Sequence, residues 1–287
     1  MSVHEEQKQL TFEEAVSILG QRIPNKIHVG GFNPIAEANL EAVYADIAAT
    51  GLRIETAEID VDLFDEYRKS AEYEARYPHY YEFNQREKSF EHYWAFRFIQ
   101  PKAGLQYIDI GSEHSPLPEI FDRLSGSITY SQDLSYDPGI VGKRIGGDAA
   151  QLPVPDAFFS GAVVTCSIEH FEGKSDIGFM KEVARVLKPG GKVIVLPLYM
   201  NAVACYYVDP VCAVQGSAQY DPEYDIYCAK GWGNRFGRFY SAATLRNRLI
   251  EPNPELSFAV QYLKDAKKLG PSVYCRFALL GTKKESA

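Results

Sequence analysis

GDAAQLPVPDAFFSGAVVTCSIEHFEGKSDIGFMKEVARVLKPGGKVIVLPL (147–198) is the stretch that decides the fold. GAVVTC (161–166) is a short apolar run rich in valine, the pattern of a fully buried strand. From Ser175 to Leu187 the apolar residues Ile177, Met180, Val183, Ala184 and Leu187 recur at helical spacing on one face. Lys188-Pro-Gly-Gly191 stops that helix, and KVIVLPL (192–198) is again strand-like. Strand, helix and strand joined this tightly imply two parallel strands with a crossover helix.

Upstream the same rhythm runs back to Leu105. LQYIDI (105–110) reads as a strand, PEIFDRL (118–124) as a helix, SITYSQD (127–133) as a strand and KRIGGD (143–148) as a weak third strand. Downstream, residues 199–240 break the rhythm with Pro210, Pro222, several glycines and seven of the 19 tyrosines. That is too long for an ordinary connection and predicts a lid over the sheet edge. A helix opened by Ser241 follows, then LSFAVQYL (256–263) and VYCRFALLGT (273–282), which look like an antiparallel pair.

Residues 1–104 read as mostly helical. Thr11-Phe-Glu-Glu14 has capping-box spacing and opens a run closed by Gly20. Further runs cover 37–50, about 60–76, and Glu87 to Gln100, the last with a stripe of Phe90, Tyr93, Trp94, Phe96 and Phe98 that reads as core. PNKIHVGGFNP (24–34) reads as a loop. The division expected is a helical N-terminal cap region over 1–104 and a cofactor domain over 105–287, with the lid at about 199–240.

In an open parallel sheet a ligand lies outside the C-terminal strand ends, near the switch point. The first strand ends Asp109-Ile110-Gly111-Ser112, where a glycine suits a sharp turn close to a ligand. The second ends at Asp133, whose carboxylate can accept hydrogen bonds from both ribose hydroxyls. The third ends at Asp148-Ala149, a carboxylate beside a small residue. An N-cap role for Asp148 is the plain alternative. The fourth ends Cys166-Ser167-Ile168-Glu169-His170, and His170 has the side chain best suited to proton transfer near neutrality.

Taken together, these motifs resemble the class I S-adenosylmethionine-dependent methyltransferases, especially their type 11 branch. Asp148, Ala149, Leu152, Pro153, Asp156 and Phe159 match one part of that pattern. Glu182, Arg185, Val186, Leu187, Lys188, Pro189, Gly190 and Gly191 match the other, while Ser160 stands where the family usually has Asp. The resemblance implies a Rossmann-like, doubly wound α/β fold, its seven-stranded sheet closed by a terminal antiparallel hairpin. It implies S-adenosyl-L-methionine as cofactor, with Asp109, Gly111 and Ser112 bordering its methionine part. Asp133 would hold the ribose, Asp148 and Ala149 the adenine, and Ser167 would border the cofactor at the fourth strand. The family's second and third glycines after the first strand are Glu113 and Ser115 here.

Methyl transfer to a hydroxyl needs a base. The candidates are His170 first, Glu169 second and Tyr199 third. The expected reaction is O-methylation of a small molecule or glycan, with the aromatic lid (Tyr206, Tyr207, Tyr220, Tyr224, Tyr227, Trp232, Tyr240) and Arg235 and Arg238 near the acceptor. A non-catalytic cofactor sensor or partner scaffold is the alternative. A nicotinamide-dependent oxidoreductase is weaker, since GxGxxG is missing. The chain of 287 residues carries a net charge of −8 without a Lys/Arg-rich run, which argues against nucleic acid as partner. Five cysteines without a close CxxC pair suggest neither a disulfide framework nor a zinc site. MSVHEEQKQL (1–10) has no apolar h-region and no stretch approaches the roughly 20 apolar residues of a membrane span, so a cytoplasmic protein with no membrane partner is expected.

Overall fold

Alternate residues of the central strands face two different helical layers. A computed structural model describes residues 10–285, so most of the polar start read above, residues 1–9, lies outside the described residues. On the strand Gln106–Ile110, Ile108 and Ile110 pack into one apolar cluster and Tyr107 into the other. On Phe159–Thr165, Ala162 and Val164 go one way and Val163 the other. That two-sided burial explains why these strands read as continuous apolar runs.

In chain order the strands are β1 (Ile27–Val29), β2 (Ile54–Thr56), β3 (Gln106–Ile110), β4 (Ile128–Val141), β5 (Arg144–Gly146), β6 (Phe159–Thr165), β7 (Leu187–Leu196), β8 (Cys205–Val208), β9 (Asp225–Cys228), β10 (Arg238–Phe239), β11 (Leu256–Tyr262) and β12 (Phe277–Lys283). The helices are α1 (Phe12–Arg22), α2 (Glu37–Ala49), α3 (Val61–Ser70), α4 (Tyr73–Arg76), α5 (Gln85–Ile99), α6 (Leu117–Ser125), α7 (Ser175–Val186), α8 (Pro210–Gln215) and α9 (Ala242–Leu245), the last running into a π-helical turn at Arg246–Ile250.

The main sheet has the order β2-β11-β12-β7-β6-β3-β4-β5. From β5 to β7 neighbours run parallel, and β12 is antiparallel to both β7 and β11. The expected terminal hairpin is therefore present. The sheet has eight strands rather than seven, because Ile54–Thr56 from the N-terminal part adds parallel to β11. The chain leaves β3 in one direction through β4 and β5, then returns to place β6 on β3's other side. The switch point lies between β3 and β6.

The N-terminal part is built into these layers. Leu40, Val43 and Ile47 of α2 share a cluster with α7 and one face of the sheet. Phe90, Tyr93 and Trp94 of α5 pack with α3 and α6 against the other face, so the aromatic stripe is core as read. Thr11 caps α1 with a full capping box, but the helix runs through Gly20 to Arg22.

A second sheet, β1-β9-β8-β10, forms from the 199–240 insertion and one N-terminal strand. The 24–34 segment, expected as loop, supplies that strand: Ile27, His28 and Val29 pair with Ile226, Tyr227 and Cys228. Three residues without a strong local pattern become a strand because β9 offers an edge. Ala15 and Leu19 of α1 pack beneath this sheet with Tyr206, Val208, Ile226 and Phe236. The insertion thus has its own small core. Among the described residues no helix is long and apolar enough to cross a membrane.

Candidate active site

The turn after β3 is fixed by what surrounds Gly111. Its φ is +64°, and a Cβ there would lie 2.4 Å from Ser167 Oγ, so glycine is required both by backbone and by space. Ser167, at the end of β6, hydrogen-bonds back to the carbonyls of Thr165 and Ile110. The ends of the two switch-point strands are therefore in direct contact.

Gln132 ties in the next two strands. Its Oε1 accepts from the Gly111 N–H at 3.3 Å and its Nε2 donates to the Gly147 carbonyl at 2.6 Å. Asp133 beside it accepts from the N–H groups of Glu113 (3.0 Å) and Ser135 (2.8 Å). Each carboxylate oxygen keeps a further lone pair for a ligand. Asp148 accepts from the Ala150 N–H at 2.9 Å, an Asx turn rather than a helix N-cap.

These strand ends surround a cleft of about 610 Å³. Gly111, Ser112, Asp133, Asp148, Ala149, Ser167 and His170 all line it. Asp109 does not. It is fully buried below the turn, accepts from Ser112 Oγ at 2.8 Å, and leaves Oδ1 without a protein partner. Burial pushes its carboxyl up to about 7, with the Ser112 bond opposing. Glu113 sits in the left-handed region at φ +41°, with its carboxylate largely exposed beside His114. Ser115 Oγ accepts from the Leu117 N–H at the start of α6.

The cleft also has walls that the strand pattern did not announce: Tyr80, Tyr81, Lys88 and Gln132. Lys88 is nearly buried, 3.2 Å from Glu91 Oε1 and 2.6 Å from Cys166 Sγ. Lys88 was not singled out from the sequence, where its spacing to Glu91 inside an aromatic helix is its one local mark. Glu87 accepts from the N–H groups of Tyr274 and Cys275, holding the approach to β12 on α5.

His170 borders the cleft and its Nδ1 is 2.7 Å from the Phe236 carbonyl. A carbonyl can only accept, so Nδ1 carries the proton and Nε2 is left with a free lone pair. Nε2 lies 3.6 Å from Glu169 Oε1. Glu169 is buried, which raises its pKa, and its Oε2 has no partner. Glu169 and Tyr199 do not line the cleft. They line a second cavity of about 440 Å³ together with Ile35, Leu40, Tyr207, Trp232, Phe239 and Tyr274.

The two arginines of the insertion differ. Arg235 borders the cleft with its Nε on Glu172 Oε1 at 2.6 Å. Arg238 is fully buried and bonds Asp176 Oδ2 at 2.9 Å and the carbonyls of Phe171 and Gly173. It holds the insertion to the start of α7 and is not available to a ligand. Tyr206 and Tyr240 are likewise buried in packing. All five cysteines are unpaired thiols.

Comparison with known proteins adds the following. A methyltransferase-domain family matches residues 122–195. A demethylmenaquinone methyltransferase of Corynebacterium kroppenstedtii is 25% identical over 144 residues, covering 46% of this chain and 62% of that protein. A ubiquinone/menaquinone biosynthesis C-methyltransferase (UbiE) of Chromobacterium violaceum is 36% identical over 75 residues, 26% of this chain and 30% of that one. This chain thus spans less than two thirds of the length of either relative. Among solved structures, the Burkholderia thailandensis 1,6-didemethyltoxoflavin-N1-methyltransferase with 1,6-didemethyltoxoflavin and S-adenosylhomocysteine aligns at 11% identity with a TM-score of 0.46, over 82% of this chain and 94% of that one.

Proposed function

We propose that this chain, a member of the class I S-adenosylmethionine-dependent methyltransferase family by its 122–195 segment, transfers a methyl group from S-adenosylmethionine to an oxygen of a small molecule. The observation that carries this reading is the convergence of Gly111, Ser112, Asp133, Asp148, Ala149 and Ser167 on one cleft at the switch point. The residues present suit the cofactor. The missing Cβ of Gly111 lets the ends of the two switch-point strands meet at the cleft, with Ser167 packed against the turn. Asp133 would hold the ribose hydroxyls and Asp148 the adenine amino group, beside the small Ala149. Asp109 supports Ser112 from below through the bond its carboxylate accepts from Ser112 Oγ.

When bound, the cofactor supplies an activated methyl on a sulfonium, so the protein's part is positioning and proton removal. His170 fits the base role: its Nδ1–H is held by Phe236 and its Nε2 can take a proton. Glu169, 3.6 Å away, stabilises the imidazolium that results when it is itself ionised. Tyr199 is buried and its pKa is raised well above the ordinary value, chiefly by burial, so it orients an acceptor rather than deprotonating it.

Calorimetry with S-adenosylhomocysteine tests the reading. The wild-type chain is expected to bind it, and Asp133→Ala to lose about tenfold to a hundredfold in affinity, the worth of one or two ligand hydrogen bonds to a charged group. Unchanged affinity in Asp133→Ala would remove the ribose assignment. Binding without turnover on any hydroxylated acceptor would favour the cofactor sensor or scaffold, which Glu113 and Ser115 in the glycine positions keep as the second reading.

A further inference from the structure

The 440 Å³ cavity under the insertion is not part of the cofactor cleft, yet the two share a wall. Cys166 borders the first, and its thiol lies 3.4 Å from the Tyr199 hydroxyl and 3.5 Å from the Tyr274 hydroxyl, both lining the second. His170 borders the first and stacks on Trp232 of the second, with ring centroids 5.8 Å apart. Glu169 and His170 are neighbours in sequence that face one cavity each.

The chemistry of this second cavity is narrow. Its walls are aromatic and aliphatic. Tyr199 packs edge-on against Phe239 at 5.2 Å, and Tyr207 edge-on against Trp232 at 5.1 Å. Its polar groups are mostly committed. The hydroxyls of Tyr199 and Tyr274 lie against Cys166, and Arg276 donates to the carbonyls of Val273 and Cys275. Asn33, Tyr207 and Trp232 add polar groups at the walls. Among the buried side-chain polar atoms of the lining, the one without a partner is Glu169 Oε2, on a side chain only 4% exposed. A sugar ring presents hydroxyls around its whole rim and would leave most of them unmatched here, at a cost for each. A flat apolar ring bearing one hydroxyl would match both the walls and the buried free acceptor.

We propose that this cavity is the acceptor pocket and that it takes hydroxylated aromatic compounds, not glycans, with the hydroxyl on Glu169. The proposal rests on the methyltransferase reading and names the substrate class for it. In the transfer, the acceptor oxygen forms its bond to the methyl carbon as the carbon–sulfur bond breaks, and the electron pair stays on sulfur. The hydroxyl proton passes to the Glu169 carboxylate or, next to it, to His170 Nε2. Burial raises the Glu169 carboxyl, which makes it a stronger base than a solvated glutamate.

The test is fluorescence titration of the full chain with 2-naphthol and, separately, calorimetry with maltotriose, both with saturating S-adenosylhomocysteine. Ile35 lines the cavity and is 41% exposed, so Ile35→Trp fills the pocket from a position that tolerates bulk. We expect 2-naphthol to bind the wild type, maltotriose not to bind, and Ile35→Trp to weaken 2-naphthol about tenfold or more by overfilling the pocket. S-adenosylhomocysteine affinity should stay unchanged in that variant. Should Ile35→Trp not fold, Trp232→Ala removes a wall instead and is expected to weaken 2-naphthol as well. Binding of maltotriose, or 2-naphthol affinity indifferent to these substitutions, would overturn the proposal. If 2-naphthol binds in this way but S-adenosylhomocysteine does not bind at all, the methyltransferase reading fails while the aromatic pocket stands.

Discussion

Cys166 and His170 border the cleft and their neighbours Tyr199, Tyr274 and Glu169 the aromatic cavity, but the two are assembled differently. The cleft is made mainly of strand ends between Gly111 and Ser175, each placed by a strand of one parallel sheet. The aromatic cavity draws on Asn33 to Leu40, on Pro197 to Phe239 and on Tyr274 to Phe277, segments far apart in the chain. A site built from strand ends inherits the rigidity of the sheet. A site built from a second sheet and loops depends on whatever holds that second unit in place. The difference predicts that the cofactor side is sensitive to single backbone atoms and the acceptor side to the clamp between the two units.

The largest effect is expected at that clamp. Asp176 at the start of α7 is fully buried and bonds Arg238 (2.9 Å), Tyr240 (2.9 Å) and Arg248 (2.7 Å) at once. Arg238 is also fully buried. Asp176→Ala leaves that guanidinium only Asp221, at 4.0 Å, and should destabilise the chain by about 3–5 kcal/mol in urea unfolding. If the two units are separable, the loss should appear as an early transition of the insertion, followed by insertion-region hydrogen exchange. A loss below about 1 kcal/mol, the level of a surface pair, would break the comparison, because the insertion would then be held elsewhere.

Next in size is Gly111. Ala at φ +64° with its Cβ against Ser167 is strained whatever the neighbours do. Gly111→Ala should cost about 1–3 kcal/mol, read as roughly tenfold to hundredfold weaker S-adenosylhomocysteine binding, or as lowered stability if the turn gives way first. Binding of 2-naphthol in the other cavity should change little. Equal losses on both sides would mean that the cavities act as one site.

The same contrast explains what the sequence made legible. Strand ends announce themselves: Asp109 and Gly111 close the apolar run LQYIDI, and Asp133 and Asp148 end the weaker runs SITYSQD and KRIGGD. Six of the seven residues chosen for the cofactor border one cleft, and the seventh, Asp109, supports it from below. The strand count missed Ile54–Thr56, whose three residues carry no alternation of their own and pair only because β11 leaves an edge open. The loop reading of 24–34 missed β1 for the same reason. Gln132 looked like an ordinary strand residue, although its amide bridges the turns at Gly111 and Gly147. Lys88 was hidden because an aromatic stripe on α5 reads as core, and the helix is core. Its ammonium reaches the cleft only by pairing with Glu91 and touching Cys166. No local pattern carries contacts of that range.

The smallest effect should come from restoring the family glycine at position 113. Glu113 holds φ +41°, a conformation that costs a side-chain-bearing residue of order 1 kcal/mol, and the turn keeps it there through the Glu113 N–H bond to Asp133 and the Tyr136 hydroxyl on the Glu113 carbonyl. Both of those bonds use the backbone, so Glu113→Gly retains them. Relief of strain favours the variant, while the greater freedom of glycine in the unfolded chain opposes it by about 0.4–1 kcal/mol. Net stability should therefore move by less than about 1 kcal/mol. The lost carboxylate is largely exposed, and at high dielectric its repulsion of a ligand carboxylate is about 1 kcal/mol at most, so S-adenosylhomocysteine should bind no more than about fivefold tighter. A gain of a hundredfold would show that Glu113 points its charge into the cleft when ligand arrives. The departure from the glycine pattern would then limit the cofactor side, which its rigid frame would otherwise leave well formed.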